Sequence, residues 1–377
     1  MSFEQQIKQI ARNAGANLVG ITSKDRLIDN KYSDPTYYLT SVESVIGFAV
    51  SLNQEIVRDF LGKKNKAAQE RMSRLEGETY HKLEEIGEAI KEFLESQGYH
   101  AVNCEVNMDY RRVKRKKVNQ SLDQMKNLIA LIEKNPNDPL VELIKKRDNF
   151  YDPDLTPKIS LRYAAVACGI GRLGWSGNLI TAEYGARIYL GAVVTDAKLN
   201  SDPQLLESPC NQCKICTSVC QGQFFDSEDS QTVKIGEIEE TIGKKHSLSK
   251  CILSCGGFTG QSKFKEWGTW SPWRISIPAD DAEADKAFNQ TLKEFLLAGG
   301  LQAQNVLRLN TDTLLGFGKA VKPVNDFRVY CAFCQLVCGQ TEAERRENLK
   351  SLRASGVVEL DEKKKLIIKL LSKSSKR

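Results

Sequence analysis

Hydrophobic and polar positions in the first half of the chain follow helical and strand periods in turn. Leu83, Ile86 and Ile90 recur at three- and four-residue steps among charged residues, which is typical of an amphipathic helix. The pattern predicts helices over residues 2–13, 75–94 and 159–168, and strands over residues 15–23, 45–52, 99–106 and 186–195. Strands that alternate with amphipathic helices indicate a layered domain of the α/β (α+β) class.

The chain has 377 residues, which is long enough for two domains. Its composition turns polar around residues 199–208, where we expect the boundary. The sequence predicts one domain over 1–198, a second over 199–345 with an insertion over 256–327, and a basic C-terminal helix or tail over 346–377. No apolar run reaches the ~20 residues of a membrane span and no export signal is visible, so we expect a cytoplasmic protein.

The formal net charge of +6 arises from two local stretches. Residues 111–117 are basic at all but one position, and residues 361–377 carry seven basic and two acidic residues. The rest of the chain is mildly acidic, whereas a general nucleic-acid binder spreads basic charge over a face. Such a run is usually a solvated surface, and its alternative role is to bind tRNA phosphates or an acidic ferredoxin.

Seven of the eleven cysteines form two short runs whose spacing carries the main chemical signal. The first run has the pattern C-x2-C-x2-C-x3-C and consists of Cys210, Cys213, Cys216 and Cys220. In such runs the first three cysteines bind one [4Fe–4S] cluster and the fourth binds a neighbouring cluster. Two clusters are therefore expected.

The second run, Cys331, Cys334 and Cys338, supplies three cysteines, so one further ligand is needed. We predict that one cluster is bound by Cys210, Cys213, Cys216 and Cys338. We predict that the other is bound by Cys220, Cys331, Cys334 and either Cys251 or Cys255. The alternative is a pair of structural zinc sites, but zinc favours paired C-x2-C units separated by a loop.

A glycine-rich turn over residues 169–177 precedes the first run. It lacks the lysine of a phosphate loop, and no predicted strand leads into its Gly169-x-Gly171-x-x-Gly174 pattern, so a dinucleotide site is weakly supported. The glycines either allow the backbone to approach a large flat group or make a tight turn. The motif alone favours the turn.

Residues 157–220 resemble the epoxyqueuosine reductase and reductive dehalogenase superfamily. There a helix, a glycine-rich turn, a Glu-Tyr-Gly loop and a strand ending in Thr-Asp precede the two-cluster cysteine run. The corresponding features here are the turn at 169–177, the loop at Tyr184 and Gly185, and the strand end at Thr195 and Asp196. The similarity is weaker over residues 331–338 and 1–106.

The resemblance implies a nitroreductase-like domain that binds base-off cobalamin, followed by a ferredoxin-like domain with two [4Fe–4S] clusters. It assigns cofactor-binding positions to Gly169, Gly171, Gly174, Asn178 and Tyr184. It also favours Cys251 over Cys255 as the eighth cluster ligand, because the surrounding residues resemble a ligand-bearing helix of the family.

The same resemblance points to two kinds of proton donor. Asp154 stands three residues before Pro157, as the catalytic aspartate of epoxyqueuosine reductases does, although it also fits the start of a turn. Reductive dehalogenases use a tyrosine instead, for which Tyr110 and Tyr163 are candidates. Desolvation beside a buried, electron-rich cobalt would raise the pKa of a carboxyl group and make it a usable acid near neutrality.

The insertion contains three closely spaced tryptophans, Trp267, Trp270 and Trp273. Aromatic side chains next to an arginine are able to roof a substrate pocket. Closely spaced tryptophans more often anchor a long insertion to the core, and we favour this interpretation.

The sequence thus predicts a cytoplasmic, oxygen-sensitive oxidoreductase. A ferredoxin or flavodoxin donates single electrons, which pass through both clusters to the corrinoid and reduce a small molecule or a queuosine-type tRNA. The alternative is an iron–sulfur electron-transfer or activator protein that reduces a partner's cofactor and has no small substrate of its own.

Overall fold

The computed structural model describes residues 1–105, 134–135, 157–260, 266–298, 331–363 and 366–370. Within these ranges the largest sheet has four antiparallel strands in the order β1-β2-β6-β3, and the pairs β4-β5, β7-β8 and β9-β10 form small sheets. The strands are β1 (Leu18–Ser23), β2 (Ser44–Ser51), β3 (Ala101–Asn103), β4 (Arg172–Leu173), β5 (Leu179–Ile180), β6 (Ile188–Thr195), β7 (Phe225–Ile235), β8 (Ile238–Lys245), β9 (Val357–Leu360) and β10 (Leu366–Lys369).

The helices of the described residues are α1 (Phe3–Asn13), α2 (Gln54–Leu61), α3 (Lys66–Ser96), α4 (Leu161–Ala167), α5 (Ile215–Ser218), α6 (Leu248–Cys255), α7 (Asp281–Ala298), α8 (Phe333–Leu336) and α9 (Glu342–Arg353). None of them is long and apolar enough to cross a membrane.

Apolar layers cover both faces of the main sheet. Successive side chains of β2 point to opposite faces, so Ile46 and Phe48 enter one core while Val45 and Ala49 enter the other. Helices α1, α2 and α3 cover the first face, and α4 with the hairpin β7-β8 covers the second. On β6, Gly191 leaves room for the ring of Phe48, because a Cβ atom there would lie 2.3 Å from the ring.

The predicted combination of helices and sheet is confirmed. The predicted helix over 75–94 is longer than expected and begins at Lys66, because Asn65 caps it by accepting a hydrogen bond from the backbone N–H of Ala68 at 3.0 Å. The antiparallel order matches the α+β form of the predicted class. The nitroreductase-like and ferredoxin-like architecture and the three domain boundaries stay predictions.

The hairpin β7-β8 was not expected from the sequence. Val233, Ile235, Ile238 and Ile242 face the second core, and the turn between the strands contains Gly236 in the left-handed region (φ 59°). Alternating apolar residues on either side of a glycine are a hairpin signal. The hairpin supplies one wall of a cavity described below.

The C-terminal segment corrects the predicted helix or tail. Helix α9 is present, but β9 and β10 then pair as an antiparallel hairpin, in which Val358 lies opposite Ile368. Side chains of Leu366 and Ile368 pack on the core while Ile367 is exposed. Leu366 and Ile368 are two positions apart, so in a strand their side chains lie on the same side. In a helix the same two side chains would point in different directions.

The tryptophan-containing segment is anchored to the first core. Trp270 is almost fully buried, stacks on Phe60 with ring centroids 5.6 Å apart, and donates a hydrogen bond from Nε1 to the Phe60 carbonyl at 3.1 Å. Trp267 packs on Phe333 with centroids 6.0 Å apart, while Trp273 is half-buried against Phe295. These contacts support the anchoring interpretation.

We expect Trp270→Ala to lower the free energy of unfolding by about 3–5 kcal/mol, because it removes a buried ring and one hydrogen bond to the Phe60 carbonyl. Trp273→Ala, in the same segment but half-buried, serves as the control and should cost less. Urea unfolding followed by circular dichroism measures both losses. Equal losses would contradict an anchoring role specific to Trp270.

Candidate metal centres and an adjoining cavity

All eleven cysteines lie in the described part of the chain and none forms a disulfide. The two runs meet in what we call the first cysteine group: Cys210, Cys213, Cys216 and Cys338. Burial raises the pKa of Cys216, and the thiolates of the other three raise it further together with that of Cys334. Burial also raises the pKa of Cys338 to about 12, and Cys210 and Cys213 contribute. The four thiolates are therefore close enough to influence one another electrostatically.

Five cysteines form the second cysteine group: Cys220, Cys251, Cys255, Cys331 and Cys334. Burial raises the pKa of Cys334 to about 12, and the thiolates of Cys255 and Cys220 add to the rise. The side chain of Cys255 hydrogen-bonds with those of Cys251 and Cys331. Since Cys216 also interacts with Cys334, the two groups adjoin.

The structure thus brings together each set of cysteines that the spacing predicted, and adds Cys255 next to Cys251. Among the described residues, no three histidine, cysteine, aspartate or glutamate side chains lie close enough together to hold a single metal ion. The ligand role of each cysteine stays a prediction.

Both cysteine runs curl through left-handed backbone conformations. Lys214, directly after Cys213, has φ 55°, and Ala332, directly after Cys331, has φ 50°. Each is the residue before a one-turn helix, α5 or α8. A non-glycine residue in this region costs of order 1–3 kcal/mol and persists where the surroundings fix it. The two runs therefore share a curled local geometry despite their different flanking sequences.

Three N–H groups point at sulfur atoms of the second group. The backbone N–H of Phe224 donates to Cys220 Sγ at 3.3 Å, and that of Phe333 donates to Cys331 Sγ at 3.4 Å. The side-chain amide of Asn178 donates to Cys334 Sγ at 3.6 Å. Hydrogen bonds of this kind favour the thiolate, which is the form that binds metals.

A buried arginine holds the two runs of the first group together. Arg345 on α9 donates from Nη1 to Asn211 Oδ1 at 2.8 Å and from Nε to the Gly339 carbonyl at 2.9 Å. Its charge also lowers the pKa of Cys338, opposing the effect of burial. Because the planar guanidinium donates in several fixed directions, one side chain fixes both loops.

The glycine-rich turn and the Tyr184-Gly185 loop pack directly against the cysteine runs. A Cβ atom on Gly174 would lie 2.2 Å from the Ile180 side chain and 3.4 Å from Cys210 Sγ. Gly185 has φ 59°, and a Cβ atom there would lie 2.4 Å from the Cys338 carbonyl oxygen. Larger residues would force the runs apart.

The other predicted cofactor-binding residues are also held by the chain itself. A Cβ atom on Gly169 would lie 2.2 Å from the Pro203 carbonyl, and one on Gly171 would lie 2.6 Å from the Ile180 carbonyl. Asn178 is buried, and Tyr184 is half-buried with its backbone N–H bonded to a neighbouring threonine. Tight packing accounts for these glycines, and a role toward a cofactor stays a prediction.

Three cationic side chains face the second group. Lys63 is 2% exposed and donates to Ser355 Oγ at 2.7 Å; burial lowers its pKa to about 7, and the Cys331 thiolate opposes this shift. Burial lowers the pKa of Lys245 to about 8, and the Cys251 thiolate opposes it. Arg162 lowers the pKa of Cys334. Among the described residues, no carboxylate contributes to the pKa of Lys63.

A cavity of about 1090 Å³ adjoins the second group. Arg26, Lys31, Arg162, Lys234 and Lys245 line it, against two acidic residues. This volume is at the upper limit of the ~300–1,000 Å³ usual for small-molecule sites, and the lining has an excess of positive charge. The cavity therefore suits a large ligand with anionic groups.

Two of the residues that line the cavity also interact electrostatically with cysteines of the second group. Arg162 and Lys245 line the cavity and interact with Cys334 and Cys251, respectively. Gly177, another lining residue, accepts a hydrogen bond from Arg162 at 3.2 Å and precedes Asn178, which binds Cys334 Sγ.

Of the candidate proton donors, Tyr163 lines this cavity. Its ring is buried, and Tyr32 contacts it edge-on with centroids 6.5 Å apart. Burial raises the pKa of Tyr163, so its hydroxyl stays protonated near neutral pH. Asp154, Tyr110 and the basic run over residues 111–117 lie outside the described residues.

The sequence reasoning missed Lys63, Lys245 and Arg345. None belongs to a local motif, and each acts through residues that are distant in the chain, so spacing alone gave no signal for Lys63 or Arg345. The alternating pattern around Gly236 is a signal that could have located the hairpin, and with it Lys245 at the end of β8.

No protein-family model matches the chain. An epoxyqueuosine reductase of Bacillus anthracis is 30% identical over 113 residues, which are 28% of this chain and 27% of that protein. An epoxyqueuosine reductase of Atelocyanobacterium thalassa is 34% identical over 65 residues, 17% of this chain and 21% of that protein. The matches therefore span about a quarter of the length of these curated relatives.

Solved structures give weaker likenesses. An epoxyqueuosine reductase with an epoxyqueuosine-modified tRNA stem loop has a TM-score of 0.40 at 14% identity, covering 93% of this chain and 99% of that chain. A catabolic reductive dehalogenase has a TM-score of 0.42 at 15% identity, and the match covers 81% of this chain and 35% of that chain. Both scores are below 0.5, too low to establish a shared fold. The sequence matches confirm the predicted resemblance to epoxyqueuosine reductases over 113 and 65 residues.

We expect Arg345→Ala to lower the free energy of unfolding of the cluster-free protein by about 3–5 kcal/mol, because several buried acceptors lose their donor at once. Arg346→Ala is the matched control: this neighbour is exposed and, within the described residues, pairs with Glu342 on the helix surface, so the loss should stay below about 0.5 kcal/mol. Urea unfolding under reducing conditions measures both. Similar losses would show that Arg345 does not hold the two loops together.

Proposed function

We propose that this protein is an iron–sulfur, cobalamin-dependent reductase, in which single electrons pass through two [4Fe–4S] clusters to a corrinoid that reduces a bound substrate. The observation that carries the proposal is that two side chains lining a large cavity also interact electrostatically with the second cysteine group. Arg162 acts on Cys334 and Lys245 on Cys251, so a group bound in the cavity would lie near a cluster bound by the cysteines.

The donor set fits two four-iron clusters. Four sulfur atoms meet in the first group and five in the second, which meets the need for four thiolates at each cluster. The raised pKa values of Cys216 and Cys334 reflect burial and repulsion by neighbouring thiolates, which metal binding would relieve by displacing the protons. The C-x2-C-x2-C-x3-C run is the pattern of paired iron–sulfur clusters rather than of zinc sites.

The cations around the second group also fit a cluster. A buried ammonium such as that of Lys63 is costly unless a negative charge lies nearby. A [4Fe–4S] cluster with four thiolate ligands is anionic and would supply that charge. Lys63, Lys245 and Arg162 would in turn favour the reduced state, because positive charge stabilises the form with one more electron.

The exposure of the two groups suggests the direction of electron flow. Cys213 of the first group is exposed, so a ferredoxin or flavodoxin is able to approach a cluster there. The second group adjoins both the first group and the cavity. Electrons would therefore enter at the first cluster and leave the second toward the cavity.

The cavity fits a corrinoid in size, and its basic lining suits the phosphate of a nucleotide tail. Such a cofactor supplies a cobalt centre that transfers electrons to a substrate bond. Tyr163 would hold a proton at its hydroxyl, ready for the reduced substrate. Asp154 is the second proposed donor, and Gly169, Gly171, Gly174, Asn178 and Tyr184 remain proposed contacts.

The sequence matches to epoxyqueuosine reductases make an epoxyqueuosine-containing tRNA the first substrate to try. The positive lining of the cavity is compatible with a nucleotide, because phosphate groups bind to lysine and arginine. A small non-nucleotide substrate is the second possibility, and turnover of an epoxyqueuosine-containing stem loop distinguishes the two.

Metal analysis is the direct test. After anaerobic cluster reconstitution, incubation with cobalamin and desalting, we expect about eight irons and one cobalt per chain by mass spectrometry. Eight irons without cobalt would eliminate the corrinoid and favour an electron-transfer or activator protein. Zinc in place of iron would overturn the proposal.

Lys63→Met should lower the midpoint potential of the second cluster by tens of millivolts, because a nearby unit charge contributes roughly 1–2 kcal/mol at an effective dielectric constant of ~20. Lys64→Met is the control, since that neighbouring lysine is 68% exposed and pairs with Asp59. Redox titration followed by electron paramagnetic resonance measures both. An unchanged potential in Lys63→Met would show that this ammonium does not act on the cluster.

A further inference from the structure

We propose that helix α6 offers two alternative ligands to the second cluster, Cys251 and Cys255, and that either thiolate can complete it. This inference rests on the proposed function, because it requires an iron–sulfur cluster at the second cysteine group. Helix α6 would then carry two interchangeable ligands instead of one dedicated ligand.

The helix places both thiols on one face. Cys251 and Cys255 are four residues apart, which is about one turn, so their side chains lie one above the other. Ile252 and Leu253 are buried on the other side and pack in a separate apolar cluster with Phe258. The helix therefore turns its cysteine-bearing face toward the other sulfur atoms.

The helix is firmly positioned. At its N-terminus, Lys250 donates to the Ala279 carbonyl and forms an ion pair with Asp281 at 2.8 Å. On another side Gly222, two residues after Cys220, approaches the Lys250 carbonyl so closely that a Cβ atom would lie 2.2 Å from its oxygen. This contact places Cys220 next to helix α6.

The two thiols share their surroundings. The Cys251 side chain interacts with those of Cys255, Cys220 and Cys334. The Cys255 side chain interacts with those of Cys251, Cys331, Cys220 and Cys334. Both are therefore near Cys220 and Cys334, and Cys255 is also near Cys331.

The five sulfur atoms exceed the four ligand positions of one cluster. Ligands of a cubane bind four different irons and point away from one another. Cys251 and Cys255 are close enough to share a hydrogen bond, so they compete for the same iron. A change of side-chain rotamer, without movement of the helix, is enough to exchange one thiolate for the other.

The pair is not symmetrical with respect to the cavity. Cys251 interacts with Lys245, which lines the cavity, whereas Cys255 contacts Cys331 and packs against the first core. The two ligand states therefore leave the spare thiol in different places, one toward the cavity and one toward the core. Their clusters should have different spectra.

The test uses Cys251→Ala, Cys255→Ala and the double variant, with alanine because a serine hydroxyl is itself able to bind iron. After anaerobic reconstitution, iron per chain and the electron paramagnetic resonance of the dithionite-reduced protein are measured. We expect about eight irons in the wild type and in each single variant, and about four in the double variant. The second-cluster signal should differ between the two single variants.

Cys168→Ala is the matched control, because Cys168 is buried, lies outside both groups and bonds to the Val45 carbonyl. It should keep eight irons. The unchanged first-cluster signal in the double variant shows that the chain is still folded.

A drop to about four irons in one single variant would identify one dedicated ligand and overturn the inference. Eight irons in the double variant would also overturn it, because α6 would then supply no ligand. Absence of iron from the wild type would instead refute the proposed function, so the two failures are distinguishable.

Discussion

The guanidinium of Arg345 connects two loops that are 134 residues apart in sequence at the point where it binds Asn211. Neither cysteine run provides enough ligands for its own cluster in the predicted assignment, so the metal chemistry depends on how these loops meet. The contact is a network of hydrogen bonds from a rigid planar group to backbone and amide oxygens, which fixes distance and direction together. Gly185 completes the junction, because it allows the neighbouring loop to touch the Cys338 carbonyl. The position of the first cysteine group follows from these contacts.

The second group is organised by burial and charge instead. Its sulfur atoms lie among apolar residues, where an ionised group is expensive unless it is paired or hydrogen-bonded. N–H groups from Phe224, Phe333 and Asn178 reach the sulfur atoms. The amino group of Lys63 lies buried on one side, where burial lowers its pKa to about 7 and the Cys331 thiolate opposes this shift. Hydrogen-bond donors and a nearby amino group stabilise negative charge at this position. Lys245 lines the cavity and interacts with the Cys251 thiolate, so it couples the second group electrostatically to the cavity.

Sequence reasoning was most successful where the signal is local. The spacing of the cysteines predicted which sulfur atoms would meet, and hydrophobic periodicity located the main helices and the strands of the central sheet. It failed where the outcome depends on distant partners. Nothing near Lys63 in the sequence indicates that Cys331 will lie beside it, and the strand at Leu366–Lys369 exists because Val357–Leu360 pairs with it. The alternating apolar residues of β7 and β8 do indicate a hairpin, but the sequence reasoning concentrated on the cysteine motifs on either side and did not use this signal.

The exposed position of Cys213 has a kinetic consequence for a reductase of the proposed kind. A donor protein that docks near Cys213 approaches the first group, whereas a substrate occupies the cavity beside the second. The two reactants therefore use different surfaces, and neither has to leave before the other binds. Donor and substrate would then be free to bind in either order, and the clusters would accept electrons while product is still bound.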